Sequence, residues 1–261
     1  MRVNIDVSME YALEQDDAAL LAIAAAHTGG QSVHESVLDV DDATLCRIDG
    51  EGGVGERVWA FIEGEQMKLR YRARVDVTRP DVALQNRAAA PVHQLPPDVF
   101  TFLRPSRFCP SDLLATFVEK QFGQLAGGAK IAAMAEWIAA SLSYVPGSSN
   151  ATTTAIDTLV SRAGVCRDYA HVMCSLARAA NIPARYISGY GPDVTPPDFH
   201  ALAEVWLDDA WHLVDPTGMS TASGLVIIAA GRDAGDTPFM ETGKPANPIS
   251  QSVDVSYERE G

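Results

Sequence analysis

Cys166, His200 and Asp215 follow one another along the chain in an order that suits thiol chemistry. Small and apolar residues after Cys166 recur at spacings of three and four, which is the pattern of one helix face. Cys166 is therefore expected at a helix N-terminus, where unpaired N–H groups and the helix dipole favour the nucleophilic thiolate. A thiolate assisted by a histidine base and an orienting carboxylate can attack an amide carbonyl to give a thioester.

The residues between His200 and Asp215 predict that these two side chains meet. If the Asp-Asp dipeptide after Leu207 is a two-residue turn, Leu207 pairs with Ala210, and Asp215 lies opposite Leu202. His200 is then a diagonal neighbour of Asp215 on the same face, roughly 7–8 Å away at the backbone, which a His–Asp hydrogen bond can span. A four-residue loop keeps this parity, whereas a three-residue loop breaks it unless a bulge compensates.

The motifs around these residues resemble those of the transglutaminase-like superfamily, a branch of the papain-like cysteine enzymes with Cys, His and Asp in this order. They are Gly164-Val165-Cys166-Arg167-Asp168-Tyr169-Ala170-His171, Phe199-His200-Ala201 and Val214-Asp215-Pro216-Thr217. The segments at 102–112 and 231–233 resemble bacterial members that carry an extra N-terminal β domain. The resemblance implies a papain-like core, a Cys-His-Asp triad, and a peptide or protein amide as substrate.

The resemblance also implies roles for individual side chains. Cys166 would be the nucleophile, and His200 would act as general base and later protonate the leaving amine. Asp215 would orient His200 and stabilise its imidazolium form. The thioester could be resolved by water or by an amine, and the likeness to bacterial members described as cysteine proteases favours hydrolysis.

Three further residues are candidates for supporting roles. The oxyanion would be held by the backbone N–H of Cys166 and a second donor, for which Tyr144 is the candidate. Arg167 and Asp168 match positions of the family motif. They are expected to support the site without contacting substrate, although a purely structural ion pair between them fits the sequence as well.

The remaining histidines and cysteines fit structural roles better. His171 lies about 140° around the helix from Cys166, and His212 faces the opposite side of its strand from Asp215. Cys174 falls near the packing stripe and is expected to be a small core residue. The paired spacing of a zinc site is absent among Cys166, His171, His200 and His212, and no calcium loop is present. No metal or cofactor is therefore expected.

Hydrophobic periodicity predicts an α+β core in which helices pack on an antiparallel sheet, preceded by a mostly β N-terminal domain. Expected helices are 113–122, 129–142, a short one from a cap at 152–154 through 160, and 166–180. Expected strands of the core are 184–190, 199–207 and 211–214. The expected domains are an N-terminal β domain (1–80), a connection (81–100), the catalytic core (101–235) and a C-terminal tail with one strand (236–261).

Two N-terminal stretches allow alternative interpretations. The alternation in 66–78 predicts a strand whose second face is basic; that face could dock an acidic partner, but a solvated face is the favoured interpretation. Residues 17–26 are alanine-rich, so propensity predicts a helix. The family resemblance instead implies a strand, and we follow the resemblance there.

Composition limits the classes of function. The formal net charge of −14 argues against nucleic-acid and anionic-membrane partners, which are bound by clustered Lys and Arg. The longest apolar run, 18–26, is too short to cross a bilayer, and the first residues do not resemble a signal peptide. Four cysteines in this context suggest reduced thiols and a cytoplasmic location. The main alternatives to an amide hydrolase are a transamidating transglutaminase and a non-catalytic binding module of the same fold.

Overall fold

Among the residues that the structure describes, three four-stranded antiparallel sheets and one short parallel pair make up the β structure. The structure is a computed structural model, and it describes residues 1–14 and 17–258. The strands are β1 (Arg2–Ala12), β2 (Ala18–Leu21), β3 (Gln31–Val40), β4 (Ala43–Asp49), β5 (Glu56–Ile62), β6 (Gln66–Val77), β7 (Ser143–Tyr144), β8 (Ala163–Gly164), β9 (Ala184–Tyr190), β10 (His200–Leu207), β11 (Ala210–Val214), β12 (Val226–Gly231), β13 (Met240–Thr242) and β14 (Asn247–Tyr257). The helices are α1 (Pro97–Phe100), α2 (Ala115–Phe122), α3 (Gly127–Ser141), α4 (Ala155–Ser161) and α5 (Cys166–Ala179).

The first two sheets share an apolar core. Their strand orders are β14-β1-β6-β3 and β13-β2-β5-β4. Alternation in β6 buries Met67, Leu69 and Tyr71 on one face, as the period of two predicts. These side chains belong to the same cluster as Leu21 of β2 and Val58 of β5, so the buried faces of the two sheets pack together.

The basic face of β6 is matched by acidic residues on the neighbouring strands. The pairs are Arg70–Asp6 and Arg74–Glu35 at 2.6 Å, and Lys68–Glu10 and Arg72–Asp39 at 3.6 Å. All four are exposed ion pairs, which contribute at most about 1 kcal/mol each. This face is therefore solvated and neutralised within the sheet, in line with the favoured interpretation.

The alanine-rich stretch of the N-terminal region is extended. It forms β2 and then a buried segment whose backbone groups bond to distant parts of the chain. The Ala22 N–H donates to the Phe239 carbonyl at 3.0 Å, and the Ala25 N–H donates to the Tyr71 hydroxyl at 2.7 Å. These tertiary hydrogen bonds replace the ones that a helix would supply, so the strand implied by the family resemblance is correct at residues 18–21.

The third sheet carries helix α5. Its strand order is β11-β10-β9-β12. Ala170, Met173 and Ala177 of α5 are fully buried in one cluster with Ala203 and Val205 of β10. This packing fixes the start of α5 relative to the start of β10, which is where Cys166 and His200 lie.

The α+β class and the transglutaminase-like core expected from the sequence are confirmed. Helices α2 to α5 and strands β9 to β11 lie within two residues of the predicted bounds at almost every end. The expectation of one strand after residue 236 was wrong, because both β13 and β14 lie there. β13 pairs with β2, and β14 pairs with β1, so the C-terminal strands complete the two N-terminal sheets. The division into separate domains stays a prediction.

Candidate active site

The first turn of α5 presents Cys166 at a half-buried position. Asp168, in the same turn, accepts a hydrogen bond from the Val165 N–H at 2.8 Å, which satisfies a donor just before the helix. Asp168 is fully buried, and a Cβ at Gly164 would lie 2.7 Å from the Asp168 Cβ. Glycine at 164 therefore leaves room for the Asp168 side chain beside the start of α5.

Arg167 and Asp168 tie a neighbouring loop to the helix start. The Ser149 hydroxyl donates to Asp168 Oδ2 at 2.6 Å, while Arg167 Nη2 donates to the Asn150 carbonyl at 2.9 Å. Arg167 Nε lies 3.8 Å from Asp168 Oδ1, so the structural ion pair is present as well. Both residues hold the backbone around Cys166 in place, and their supporting role in function stays a prediction.

The β10–β11 hairpin brings His200 to Asp215. Leu207 pairs with Ala210, as the two-residue turn predicted. The two turn residues have φ of 47° and 56°, which is the left-handed conformation that a type I′ turn requires at both positions. His200 Nε2 lies 2.7 Å from Asp215 Oδ2. The predicted register is confirmed, and the diagonal contact that it allowed is present.

Asp215 is held by donors on both of its oxygens. The Thr217 N–H and hydroxyl donate to Oδ1 at 2.9 and 2.6 Å. The Ser220 N–H and hydroxyl donate to Oδ2 at 2.9 and 2.7 Å, beside His200. Burial alone would raise the pKa of this carboxyl, but the hydrogen bonds from His200, Thr217 and Ser220 lower it overall. Asp215 is therefore a fixed, ionised partner for His200.

His200 has one nitrogen on Asp215, and it lines the same cleft as Cys166. Its Nδ1 is buried and has no hydrogen-bond partner among the described residues. Burial lowers the pKa of His200, but its hydrogen bond with Asp215 and the nearby Asp215 and Cys166 side chains outweigh burial and raise the pKa to about 9. The arrangement favours an imidazolium that faces the thiol, as a Cys-His pair needs.

Tyr144 reaches the same helix start through the short parallel pair β7–β8. Tyr144 lies opposite Gly164, and the Val145 N–H donates to the Gly164 carbonyl at 2.9 Å. The Tyr144 hydroxyl lies close enough to Cys166 for the pKa of the phenol to respond to it. Burial, with the charge of Cys166 next, raises the pKa of Tyr144 to about 12. The phenol is therefore neutral near physiological pH, and its role as an oxyanion donor stays a prediction.

The other histidines of the core lie apart from this group. His171 is buried between Phe108 and Tyr186, with ring centroids 5.2 Å from each, and its Nε2 accepts from the Ala234 N–H at 3.2 Å. Burial lowers the pKa of His171 to about 3, so it is a neutral core residue. His212 lies on the far side of the hairpin, where its Nε2 is 3.1 Å from the Leu207 carbonyl oxygen.

A cleft of about 720 Å³ opens beside Cys166 and His200. Its floor includes Tyr186 and Ser188 of β9, and one wall is formed by Gly147, Ser149, Ala151 and the start of α5. The opposite wall is formed by residues 198–201 and 237–241.

Among residues 1–14 and 17–258, no helix is long and apolar enough to cross a membrane.

Selective alkylation is expected to test the thiol chemistry of this site. Cys46 is exposed, Cys109 and Cys174 are buried, and Cys166 lines the same cleft as His200. Brief treatment with iodoacetamide near neutral pH should therefore label Cys166 first, as read by peptide mass spectrometry. His200→Gln should slow the labelling of Cys166 and leave that of Cys46 unchanged. Faster labelling of Cys46 in the wild type would contradict an activated Cys166.

A family model and a solved structure relate this chain to the same kind of protein. The model of the transglutaminase-like superfamily matches residues 116–216, which include Cys166, His200 and Asp215. The crystal structure of a proposed cysteine protease from Cytophaga hutchinsonii superposes with a TM-score of 0.91 at 33% identity, covering 98% of this chain and 90% of that one.

Two curated relatives match shorter regions. An uncharacterized protein of Mycobacterium leprae is 27% identical over 168 residues, which is 59% of this chain and 60% of the relative. A protein-glutamine gamma-glutamyltransferase of Pseudomonas aeruginosa is 40% identical over 67 residues, 22% of this chain and 10% of the relative. The chain thus spans 60% or less of the length of these two relatives.

Proposed function

Because the chain belongs to the transglutaminase-like superfamily, we propose that it is a cysteine-dependent acyl-transfer enzyme that hydrolyses amide bonds of peptides or proteins. Cys166, His200 and Asp215 are its proposed catalytic residues. The observation that carries the proposal is the 2.7 Å contact of His200 Nε2 with Asp215, together with the position of Cys166 beside His200 in the same cleft. These positions support a nucleophile, a base and an orienting carboxylate that act together.

The contacts suggest a sequence of steps for this reaction. The Cys166 thiolate attacks the carbonyl carbon, forming the C–S bond and placing negative charge on the carbonyl oxygen. The Cys166 N–H and the Tyr144 hydroxyl would share that oxygen between them. When the C–N bond breaks, the His200 imidazolium gives its proton to the leaving amine. Neutral His200 then accepts a proton from water, which attacks the thioester and releases the acid and the thiolate.

Hydrolysis is favoured because the cleft is open to water. Exposed side chains such as Arg107, Asp198 and Glu241 line it, so water reaches the thioester directly. A transferase must hold an amine and exclude water from the intermediate. Transamidation is the second candidate, supported by the likeness over 67 residues to a protein-glutamine gamma-glutamyltransferase.

The four free cysteines fit a reducing compartment, and the cytoplasm is the location that we propose.

Incubation with glutamine-containing peptides, with and without a labelled primary amine, tests the proposal. We expect release of free acid, detected by mass spectrometry, that Cys166→Ala abolishes and Cys46→Ala leaves intact. Incorporation of the amine in place of acid release would identify a transglutaminase. Binding without turnover across a broad set of peptides would favour the non-catalytic module.

A further inference from the structure

One wall of the cleft is an aromatic surface beside His200. Phe199 precedes His200 in the chain and stacks on Phe239, with ring centroids 4.8 Å apart and planes 9° from parallel. Tyr190 lies behind Phe199 at 5.5 Å and fixes its position from the core. Phe239 is 36% exposed, so this pair offers the cleft a rigid apolar face.

Two carboxylates flank the aromatic pair. Asp198 and Glu241 are exposed and line the same cleft. Asp198 Oδ1 accepts from the Gln251 side chain at 3.2 Å and from the Phe199 N–H at 2.8 Å. Within the described part of the chain, neither carboxylate forms an ion pair with a basic side chain. The charge of Asp198 also adds, after burial and Cys166, to the raised pKa of Tyr144, which places it within electrostatic reach of the nucleophile.

The basic residues of the cleft lie against other walls. Arg167 is bound to Ser149 and the Asn150 carbonyl on the α5 side. Arg107 lies over the Phe108 ring, with its guanidinium carbon 4.9 Å from the ring centroid. The wall formed by residues 198–201 and 239–241 therefore keeps its own negative charge, although the whole cleft also contains cations.

We propose that this wall binds a basic side chain in the leaving-amine half of the substrate. The inference rests on the proposed function, because His200 must face the amine that it protonates, and the chain beyond that amine then runs along Phe199. A lysine or arginine side chain has an apolar stem that packs on the Phe199–Phe239 pair and a cationic head that the two carboxylates attract. The preferred substrates are thus amides followed by a basic residue.

Peptides that differ only in the residue after the scissile amide provide the test. Lysine, norleucine and glutamate are compared, because norleucine keeps the apolar stem and lacks the charge. We expect kcat/KM to be about tenfold higher for lysine than for norleucine, since each exposed ion pair contributes roughly twofold to fivefold. The double variant D198N/E241Q should reduce this ratio to about one. In the control E63Q/E65Q, which removes two charges outside the cleft, the ratio should persist.

Binding to Cys166→Ala, measured by calorimetry, separates this inference from the proposed function. Tighter binding of the lysine peptide that D198N/E241Q abolishes supports the basic subsite even if no peptide is turned over. Equal binding of the lysine and norleucine peptides overturns it. A lysine preference that survives in D198N/E241Q also overturns it, since the selectivity would then come from another part of the cleft. If turnover requires Cys166 but does not depend on the charge of the substrate residue after the scissile amide, the basic subsite is overturned. The proposed hydrolase activity then still stands.

Discussion

Asp215→Asn is expected to lower kcat for the amide substrate by about 10²–10³-fold while the protein remains folded. Asp215 supplies both a hydrogen bond and a charge to His200, and both raise the pKa of that imidazole. Asparagine removes the charge, so the imidazolium that must protonate the leaving amine is less stable. The effect is expected to be smaller than for a serine nucleophile, because a thiol ionises more easily than a hydroxyl.

Geometry adds to the electrostatic loss. Both oxygens of Asp215 accept hydrogen bonds, from Thr217 on one side and from Ser220 and His200 on the other. An asparagine NH₂ group at either position would face a backbone N–H donor, which costs roughly 1–3 kcal/mol for a buried unsatisfied group. The ring of His200 would then lose its fixed orientation.

Asp208→Asn is the matched control for this prediction. Asp208 lies in the turn of the same hairpin and accepts from the Ala88 N–H at 2.8 Å, away from His200. Circular dichroism should show that both variants are folded, and steady-state kinetics should show a large loss only for Asp215→Asn. An Asp215→Asn protein with wild-type kcat would remove Asp215 from the mechanism.

The register of the β10–β11 hairpin can be predicted from local sequence rules alone. A turn of two aspartates fixes the pairing of Leu207 with Ala210, because Asp tolerates the left-handed conformation that a two-residue turn demands. Strand parity then places His200 and Asp215 on one face without any tertiary information. The helix that begins at Cys166 could be predicted from the sequence equally well, since its apolar stripe and its start lie within one continuous stretch.

The features that sequence reasoning missed depend on distant parts of the chain. Ser220 donates twice to Asp215 because Gly218, at φ 71°, turns the loop back toward the carboxylate. The available sequence signal was a glycine shortly after the strand that leads to Asp215. A glycine indicates a turn, but it does not specify which side chain then reaches the carboxylate. The wall that contains Phe239 and the partners of β13 and β14 are set by contacts across more than 200 residues, which local periodicity does not encode.

The free energy of unfolding is expected to fall by about 3 kcal/mol between pH 6.5 and pH 9 through His200 alone. Its pKa rises from the ordinary 6.5 to about 9 on folding, and each unit corresponds to about 1.4 kcal/mol. The folded state therefore binds this proton more tightly. The resulting stability is complete below pH 6.5, and it is lost as the pH rises through 9.

Two other groups set the limits of that pH window. Burial lowers the pKa of His171 to about 3, so stability is lost as the pH falls below 6.5, where the unfolded chain binds a proton that buried His171 does not. Burial raises the pKa of Cys174 well above its usual value, so its own destabilising effect begins near and above pH 9. The interval from 6.5 to 9 is thus the range in which His200 dominates.

Urea unfolding across this interval tests the prediction with two histidine variants from the same hairpin. His200→Gln should remove most of the decline, and His212→Gln, whose parent side chain meets the Leu207 carbonyl, should retain it. Cys166→Ala should reduce the decline in part, because Cys166 contributes to the raised pKa of His200. If His200→Gln shows the same slope as the wild type, His200 does not carry the extra proton. Its charged pairing with Asp215 and Cys166 would then be absent in solution.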